Sequence, residues 1–76
     1  MTEIKKGEEI TMTVDEYEVI RLVDLEKYTH EQCAERMGIS RTTVTEIYES
    51  ARYKLADSVV NGKKCYIYFR GRLSVM

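Results

Sequence analysis

The chain has 76 residues and a net charge of −1, with 43% hydrophobic residues, 33% charged residues and no proline or tryptophan. A chain of this length forms one domain, buries only about 60% of the surface that its unfolded state exposes, and leaves little volume for a deep, water-excluding pocket. No apolar run approaches the roughly 20 residues of a membrane span and no signal-peptide pattern follows Met1, so we expect a cytoplasmic protein that does not cross a membrane.

The first predicted elements are a short strand and a helix. Residues 9–13 alternate polar and apolar side chains, which is a weak strand signal. Thr13 and Glu16 have the spacing of a capping box, in which each side chain hydrogen-bonds to the backbone N–H of the other residue. The pattern predicts a helix from Val14 to about Lys27. Its inward-facing residues are expected to be Tyr17, Ile20 and Val23, with Val19 and Leu22 beside them.

A second capping box, Thr29 with Gln32, predicts a short helix that ends at Met37. Cys33, Ala34 and Met37 are expected to face inward. Gly38 is predicted to end this helix in a left-handed conformation, with Ile39 filling the turn.

Ser40 is the predicted N-cap of a third helix that runs from Arg41 to about Val59. Its inner stripe is Val44, Ile47, Ala51 and Leu55, flanked by Tyr48. Asn61 and Gly62 break the helix, and a strand follows at about 64–70. The predicted fold is mainly α, a single three-helix helix-turn-helix domain over residues 1–76. Its core lies at about 13–60, and its short terminal β-strands can pair.

Four residues in the middle of the chain meet the steric rules of a helix-turn-helix by their type and spacing. Ala34 is small where two helices cross, Gly38 makes the turn, and the β-branched Val44 and Ile47 hold the second helix against the first. In such a unit the N-terminal turns of the second helix point at base edges in the major groove. The residues predicted to contact bases are Arg41, Thr42, Thr45 and Glu46. The residues predicted to contact phosphates are Ser40, Thr43, Tyr48, Arg52, Lys54, Lys63 and Lys64.

The charge distribution agrees with this interpretation more than the net charge does. Residues 1–40 carry a balance of −5, whereas residues 41–76 carry a balance of +4. A duplex responds to the local field of the contacting face. An ordinary mixed surface would also show such an asymmetry.

No catalytic or metal-binding pattern accompanies these elements. Cys33 and Cys65 are far apart and His30 is the single histidine, so no metal signature is formed and no cofactor is expected. We expect Cys33 to be a small buried residue and Cys65 a strand residue. With no phosphate-binding loop and no nucleophile–base pair, an enzyme is not expected. The acidic residues Asp15, Glu16 and Asp24 are expected to serve as helix caps and solvated faces.

The sequence also resembles a prokaryotic family of small, uncharacterised, predicted DNA-binding proteins. The resemblance covers about residues 9–67. It lies in TVDEYE at 13–18, RL at 21–22, DLE at 24–26 and AERMGISRTT at 34–43, and continues at Ala51–Arg52, Ala56 and Gly62–Lys63.

That family is in turn similar to the promoter-reading region of bacterial sigma factors, within the winged-helix-like superfamily. The similarity implies that Arg41, Thr42 and Glu46 fall where sigma factors contact promoter bases. It also implies that Arg52 falls on the basic end of the same helix.

Two functions therefore remain from different classes. The first is a transcriptional regulator that binds double-stranded DNA. The second is a protein-interaction module that docks on RNA polymerase or another regulator through its aromatic segment at 66–69. Both faces of that segment are apolar or aromatic, so the terminal strands are also expected to form a homodimer.

Overall fold

The computed structural model describes residues 9–69 and 72–75, with side-chain environments for residues 9–68. The elements follow the order β1 (Glu9–Met12), α1 (Val14–Ile20), a π-helical turn (Arg21–Leu25), α2 (His30–Met37), α3 (Arg41–Asn61), β2 (Lys64–Phe69) and β3 (Arg72–Val75). The predicted mainly helical fold with short terminal strands is confirmed. The predicted end of the last strand at residue 70 lies outside the described residues.

The start of α1 is a capping box, as predicted. The Thr13 hydroxyl accepts from the backbone N–H of Glu16 at 3.1 Å, and the Glu16 carboxylate accepts from the N–H of Thr13 at 2.9 Å. The helix differs from the prediction at its other end. Residues 21–25 form a π-helical turn, and the Glu26 N–H donates to the carbonyl five residues earlier, that of Arg21. Lys27 then takes a left-handed conformation with φ 63° and ends the helix.

The buried face of α1 is rotated relative to the prediction. Val19 and Leu22 are almost fully buried, and Glu16 joins them at 5% exposure. Tyr17, expected inside, is 37% exposed. Glu16 has its predicted capping role, but it is buried rather than solvated, because α3 supplies polar partners that draw this carboxylate inward.

The turn between α2 and α3 forms as the sequence predicts. Gly38 is left-handed with φ 70°, and the N–H of Ile39 closes the turn on the Ala34 carbonyl at 3.0 Å. The Ser40 hydroxyl caps α3 by accepting from the Thr43 N–H at 3.1 Å. Because Gly38 removes the steric penalty of this conformation, α3 starts immediately after the turn.

The core consists of two adjoining clusters. The first joins the three helices and contains Val19, Leu22, Cys33, Ala34 and Val44. The second joins α3 to the strands and contains Ile10, Met12, Ala51 and Cys65. Both cysteines lie where they were predicted. The clusters fix α3 along one side and leave its other side to solvent.

The strands form one sheet in the order β1-β2-β3. β1 pairs with β2 in parallel, with Ile10 opposite Cys65 and Met12 opposite Ile67. β2 also pairs with β3 in antiparallel fashion. The predicted pairing of the terminal strands is confirmed, and β3 is an additional strand that the sequence pattern did not indicate.

Candidate nucleic-acid interface

The first two turns of α3 present the residues predicted to contact bases. Arg41, Thr42 and Glu46 are exposed, and Thr45 is half-buried. At about 100° per residue, these four positions span an arc of roughly 140° on the side of the helix away from Val44. Because Val44 is fully buried, the rotation of α3 is fixed and the four side chains share one outward surface.

Thr45 is held from two directions. Its hydroxyl donates to the Arg41 carbonyl at 3.2 Å and lies 3.0 Å from Nδ1 of His30 at the start of α2. The His30 ring also makes an edge contact with Tyr48, with the ring centroids 5.0 Å apart. His30 was not predicted as a site residue, because in the sequence it is only the first residue of a short helix.

One flank of α3 carries a cluster of Asp24, Tyr48 and Arg52. The Tyr48 hydroxyl donates to Asp24 at 2.8 Å, and Arg52 donates to the other Asp24 oxygen at 3.1 Å. Arg52 also lies 5.5 Å from the centre of the Tyr48 ring. The hydrogen bond to Asp24 is the main reason that the pKa of Tyr48 is raised. Asp24, expected on a solvated face, instead orients two residues that were predicted to contact phosphate.

The other flank of α3 binds Glu16. Lys54 Nζ donates to Glu16 Oε1 at 2.8 Å and to the Thr11 carbonyl at 2.9 Å, while the Ser50 hydroxyl donates to Glu16 Oε2 at 2.7 Å. Burial alone would raise the pKa of Glu16, but the hydrogen bonds from Lys54, Thr13 and Ser50 outweigh burial and lower it. Lys54 was predicted to contact phosphate, and in the structure its amino group is hydrogen-bonded to Glu16 and Thr11.

The remaining predicted phosphate contacts lie at the two ends of α3. Ser40 and Thr43 sit together at the N-terminus, with their hydroxyl oxygens 2.8 Å apart. Beyond the other end, Lys63 pairs with Asp57 at 3.0 Å, and Lys64 is exposed at the start of β2. The hydrogen bond from Asn61, followed by the one from Lys63, lowers the pKa of Asp57.

The predicted site residues therefore divide by geometry. The four base-contacting candidates come together on one surface, with Ser40 and Thr43 beside their N-terminal edge and Tyr48 and Arg52 along one flank. Lys54 lies on the opposite flank, and Lys63 and Lys64 lie beyond the far end of the helix.

The second half of α3 exposes apolar side chains. Tyr53 is 74% exposed, Val59 is 82% exposed and Val60 is 78% exposed. These three residues, here called the α3 apolar patch, are well separated along the helix axis from Arg41. Tyr53 and Val60 border one shallow depression together with Ala56, and adjoining exposed apolar residues are typical of a protein contact.

Fold and surface together define a small, mainly helical domain built around a helix, a tight turn and a second helix. The chain belongs to the family described as "Protein of unknown function DUF134", whose model matches residues 1–74. None of the helices in residues 9–69 combines the length and the apolar character that crossing a membrane requires.

Curated relatives carry the name UPF0251 protein. The chain is 62% identical over 55 residues to one from Desulfitobacterium hafniense, an alignment that covers 72% of this chain and 44% of the relative. It is 50% identical over 60 residues to one from Moorella thermoacetica, covering 79% of this chain and 40% of the relative. A third, from Thermoanaerobacter pseudethanolicus, is 54% identical over 56 residues, covering 74% and 48%. The chain thus spans less than half the length of these relatives. No solved structure matches the chain.

Proposed function

We propose that this domain binds double-stranded DNA sequence-specifically, with α3 in the major groove, as part of a cytoplasmic transcriptional regulator. The observation that carries the proposal is the exposed polar surface of Arg41, Thr42 and Glu46 at the start of a helix that follows a tight turn. Helices in this position read base edges with their first turns.

Each base-contacting candidate has a chemical role. Arg41 is suited to a bidentate contact with O6 and N7 of guanine, and Glu46 to accepting from N4 of cytosine. Thr42 and Thr45 offer methyl groups to thymine. Because the Thr45 hydroxyl is already bonded within the protein, the methyl group is its available contact.

Phosphate contacts are assigned to the polar residues that flank this surface, Ser40, Thr43, Tyr48 and Arg52, and to Lys63 and Lys64 beyond the helix. Lys54 is left out because its amino group pairs with Glu16, whose side chain is only 7% exposed. Lys63 is kept because its partner Asp57 is more exposed, at 19%. Arg52 remains a candidate despite its pairing with Asp24, since its side chain is 57% exposed. An exposed ion pair of this kind contributes little free energy and can open towards a phosphate.

The test is a titration of isotopically labelled protein with a mixed-sequence duplex at low salt, followed through the backbone amide shifts. Shifts concentrated at residues 40–46 and around Arg52 support the proposal. In vitro selection then supplies a preferred site, on which Arg41→Ala is expected to cost about 1–3 kcal/mol and to relax preference at one base pair.

Arg36→Ala is the matched control, because Arg36 is an exposed arginine on α2 outside the predicted contacts. If Arg41→Ala and Arg36→Ala weaken all sequences alike, base reading by Arg41 is excluded. If no amide of α3 shifts, DNA binding by this surface is excluded.

A second candidate function, a protein-interaction module, is favoured by the α3 apolar patch. RNA polymerase or another regulator is the partner class that we propose for such a module. Replacing Val59 and Val60 by serine, which adds no charge, should abolish partner capture while leaving duplex binding unchanged. Loss of duplex binding without loss of partner capture would contradict this function.

A homodimer through the terminal strands remains a further proposal. The strand order places β1 and β3 on the outside of the described sheet, where backbone groups are available to a second copy. Sedimentation is expected to show a dimer that Tyr68→Lys dissociates, since Tyr68 is an exposed residue of the sheet. A monomer of 8.9 kDa at micromolar concentration would exclude it.

A further inference from the structure

Arg52 makes its bonds to the rest of the protein through a single nitrogen atom. Nη1 donates to Asp24 Oδ2 at 3.1 Å and to the Tyr48 hydroxyl oxygen at 3.1 Å. A guanidinium group has five N–H donors arranged in one plane, and no residue in the described part of the chain accepts from Nε or Nη2 of Arg52. Since the side chain is 57% exposed, these two nitrogens are available to a ligand.

The edge formed by Nε and Nη2 is suited to an anion with two oxygens. Arg21 uses the same edge within this protein, where its Nε and Nη2 donate to the two carboxylate oxygens of Glu18, each at 3.1 Å. Phosphate oxygens accept two parallel N–H bonds from an arginine in the same way. Arg52 can therefore bind a phosphodiester bidentately without releasing Asp24.

The Tyr48 hydroxyl is already committed to the same cluster. It donates its single hydrogen to Asp24 Oδ1 at 2.8 Å, and its oxygen accepts from Arg52. Because a phosphodiester oxygen can only accept, Tyr48 has no hydrogen for a phosphate while it is bonded to Asp24. The Tyr48 ring also lies beside the guanidinium group, with Cζ of Arg52 5.5 Å from the ring centre. Tyr48 therefore acts on a phosphate through Arg52.

Arg52 lies on the same side of α3 as two of the base-contacting candidates. At about 100° per residue, Arg41, Thr45 and Arg52 fall within an arc of roughly 40°. Arg52 follows Thr45 by two helical turns, which is about 10 Å along the axis. The major groove is about 12 Å wide, so a helix that reads bases near Thr45 brings Arg52 to the phosphates at the rim.

We propose that Asp24 and Tyr48 are positioning residues that hold Arg52 for a bidentate contact with one phosphodiester group. The inference rests on the proposed function and refines it, because the pair between Asp24 and Arg52 stays closed when the duplex binds. A side chain that is already held in its bound geometry loses less conformational freedom on binding. Asp24 thus raises the affinity for DNA although its own charge is negative.

The opposite role for Asp24 is that of a competitor, which phosphate must displace from Arg52. The two roles predict opposite signs of coupling between Asp24 and Arg52. A positioning role makes Asp24→Ala weaken binding more in the presence of Arg52 than in Arg52→Ala. A competing role makes Asp24→Ala strengthen binding more in the presence of Arg52. The loss of one negative charge near the duplex acts in both backgrounds, so the comparison removes it.

The test measures the affinity for one short duplex at constant ionic strength in the wild type, the two single variants and the double variant. We expect the effect of Asp24→Ala to be about three- to tenfold less favourable with Arg52 present than with alanine at that position. Equal effects in the two backgrounds, or a difference of the opposite sign, would overturn the proposal.

Tyr48→Phe is the second variant, because it keeps the ring and removes only the hydroxyl. We expect affinity to fall about two- to fivefold while the dependence on salt concentration stays the same, since Arg52 still neutralises its phosphate. The fall should disappear in the Arg52→Ala background. Tyr53→Phe is the matched control and should bind as the wild type does, because Tyr53 is an exposed tyrosine of the same helix. A fall that persists in Arg52→Ala would mean that the Tyr48 hydroxyl contacts DNA itself, which contradicts the proposal.

The Nε–H resonance of Arg52 supplies a readout that does not depend on affinity. In the free protein, relaxation measurements should show an ordered Arg52 side chain that becomes more mobile in Asp24→Ala and in Tyr48→Phe. Addition of the duplex should shift this resonance in the wild type. An Nε–H that is mobile in the wild type, or that does not shift when the duplex binds, would overturn the inference alone. If the wild type binds no duplex, the proposed function fails and this inference fails with it.

Discussion

Lys54 and Glu16 form an ion pair of 2.8 Å between the middle of α3 and the first turn of α1. The Glu16 side chain is only 7% exposed, and that of Lys54 is 31% exposed. The carboxylate also accepts from Ser50 and from the Thr13 backbone. This ion pair therefore anchors α1 to α3, the helix proposed to read bases.

We expect Lys54→Met to lower the free energy of unfolding by about 1–3 kcal/mol, because it leaves a buried carboxylate without its cation. Urea denaturation measures the change. Lys64→Met is the matched control and should have little effect, since Lys64 is exposed. The salt dependence of duplex binding should be the same in Lys54→Met as in the wild type. A shallower dependence would restore Lys54 as a phosphate contact.

Stability should also depend on pH through Glu16. The pKa of this carboxyl is lowered in the folded protein, mainly because the hydrogen bonds from Lys54, Thr13 and Ser50 outweigh burial. A lowered pKa contributes stability that is fully present above the unfolded value and is lost as the pH falls through the folded value. Wild-type stability should therefore decline below about pH 4.5, and Glu16→Gln should be less stable at neutral pH and less sensitive to acid. Denaturation curves collected from neutral to acid pH measure both. Parallel pH profiles would contradict the assignment to Glu16.

The turn at Gly38 should tolerate few replacements. A Cβ at this position would meet nothing within 4 Å, so the cost of Gly38→Ala comes from the left-handed backbone alone. We expect a loss of about 1–2 kcal/mol, and a smaller one for Gly38→Asn, because asparagine adopts this conformation more readily than alanine. Gly62→Ala is the comparison variant and should cost a similar amount, since Gly62 has nearly the same φ and a Cβ there also meets nothing within 4 Å. Equal stability of Gly38→Ala and wild type would contradict the strain argument.

Arg52 should affect binding more than folding. Its pair with Asp24 is largely exposed, so Arg52→Ala is expected to change the free energy of unfolding very little. If Arg52 contacts phosphate, its removal reduces the slope of log affinity against log salt concentration by about one. Asp24→Asn keeps Arg52 and removes its anchor, so it should preserve that slope. An unchanged slope in Arg52→Ala would exclude a phosphate contact by Arg52 and leave it only its pairing with Asp24.

The parts of this fold that could be predicted from the sequence are those with local causes. Thr13, Thr29 and Ser40 cap helices through residues three positions away, and Gly38 ends a helix by its own backbone freedom. The inner stripe of α3 follows from helical periodicity, and Val44 and Ala51 are fully buried as expected.

The parts that could not be predicted depend on residues far apart in the chain. Periodicity places Lys54 and Arg52 on α3, but it does not show that Glu16 and Asp24 face them from another element. Lys54 and Arg52 therefore both looked like groups available for phosphate. The bond between His30 and Thr45 was missed for the same reason, and β3 follows no pattern strong enough to indicate a strand.

The parallel pairing of β1 with β2 has a consequence for the order in which the molecule assembles. In the sequence, all three helices lie between the two strands. Ile10 and Cys65 can therefore pair only after distant parts of the chain have come together. Pairings between distant segments form late and slow the folding of small domains. We therefore expect the helices to assemble first through their cluster around Val19 and Val44, and the strand pair to form last. Replacements in β1 should then speed unfolding while leaving the refolding rate almost unchanged.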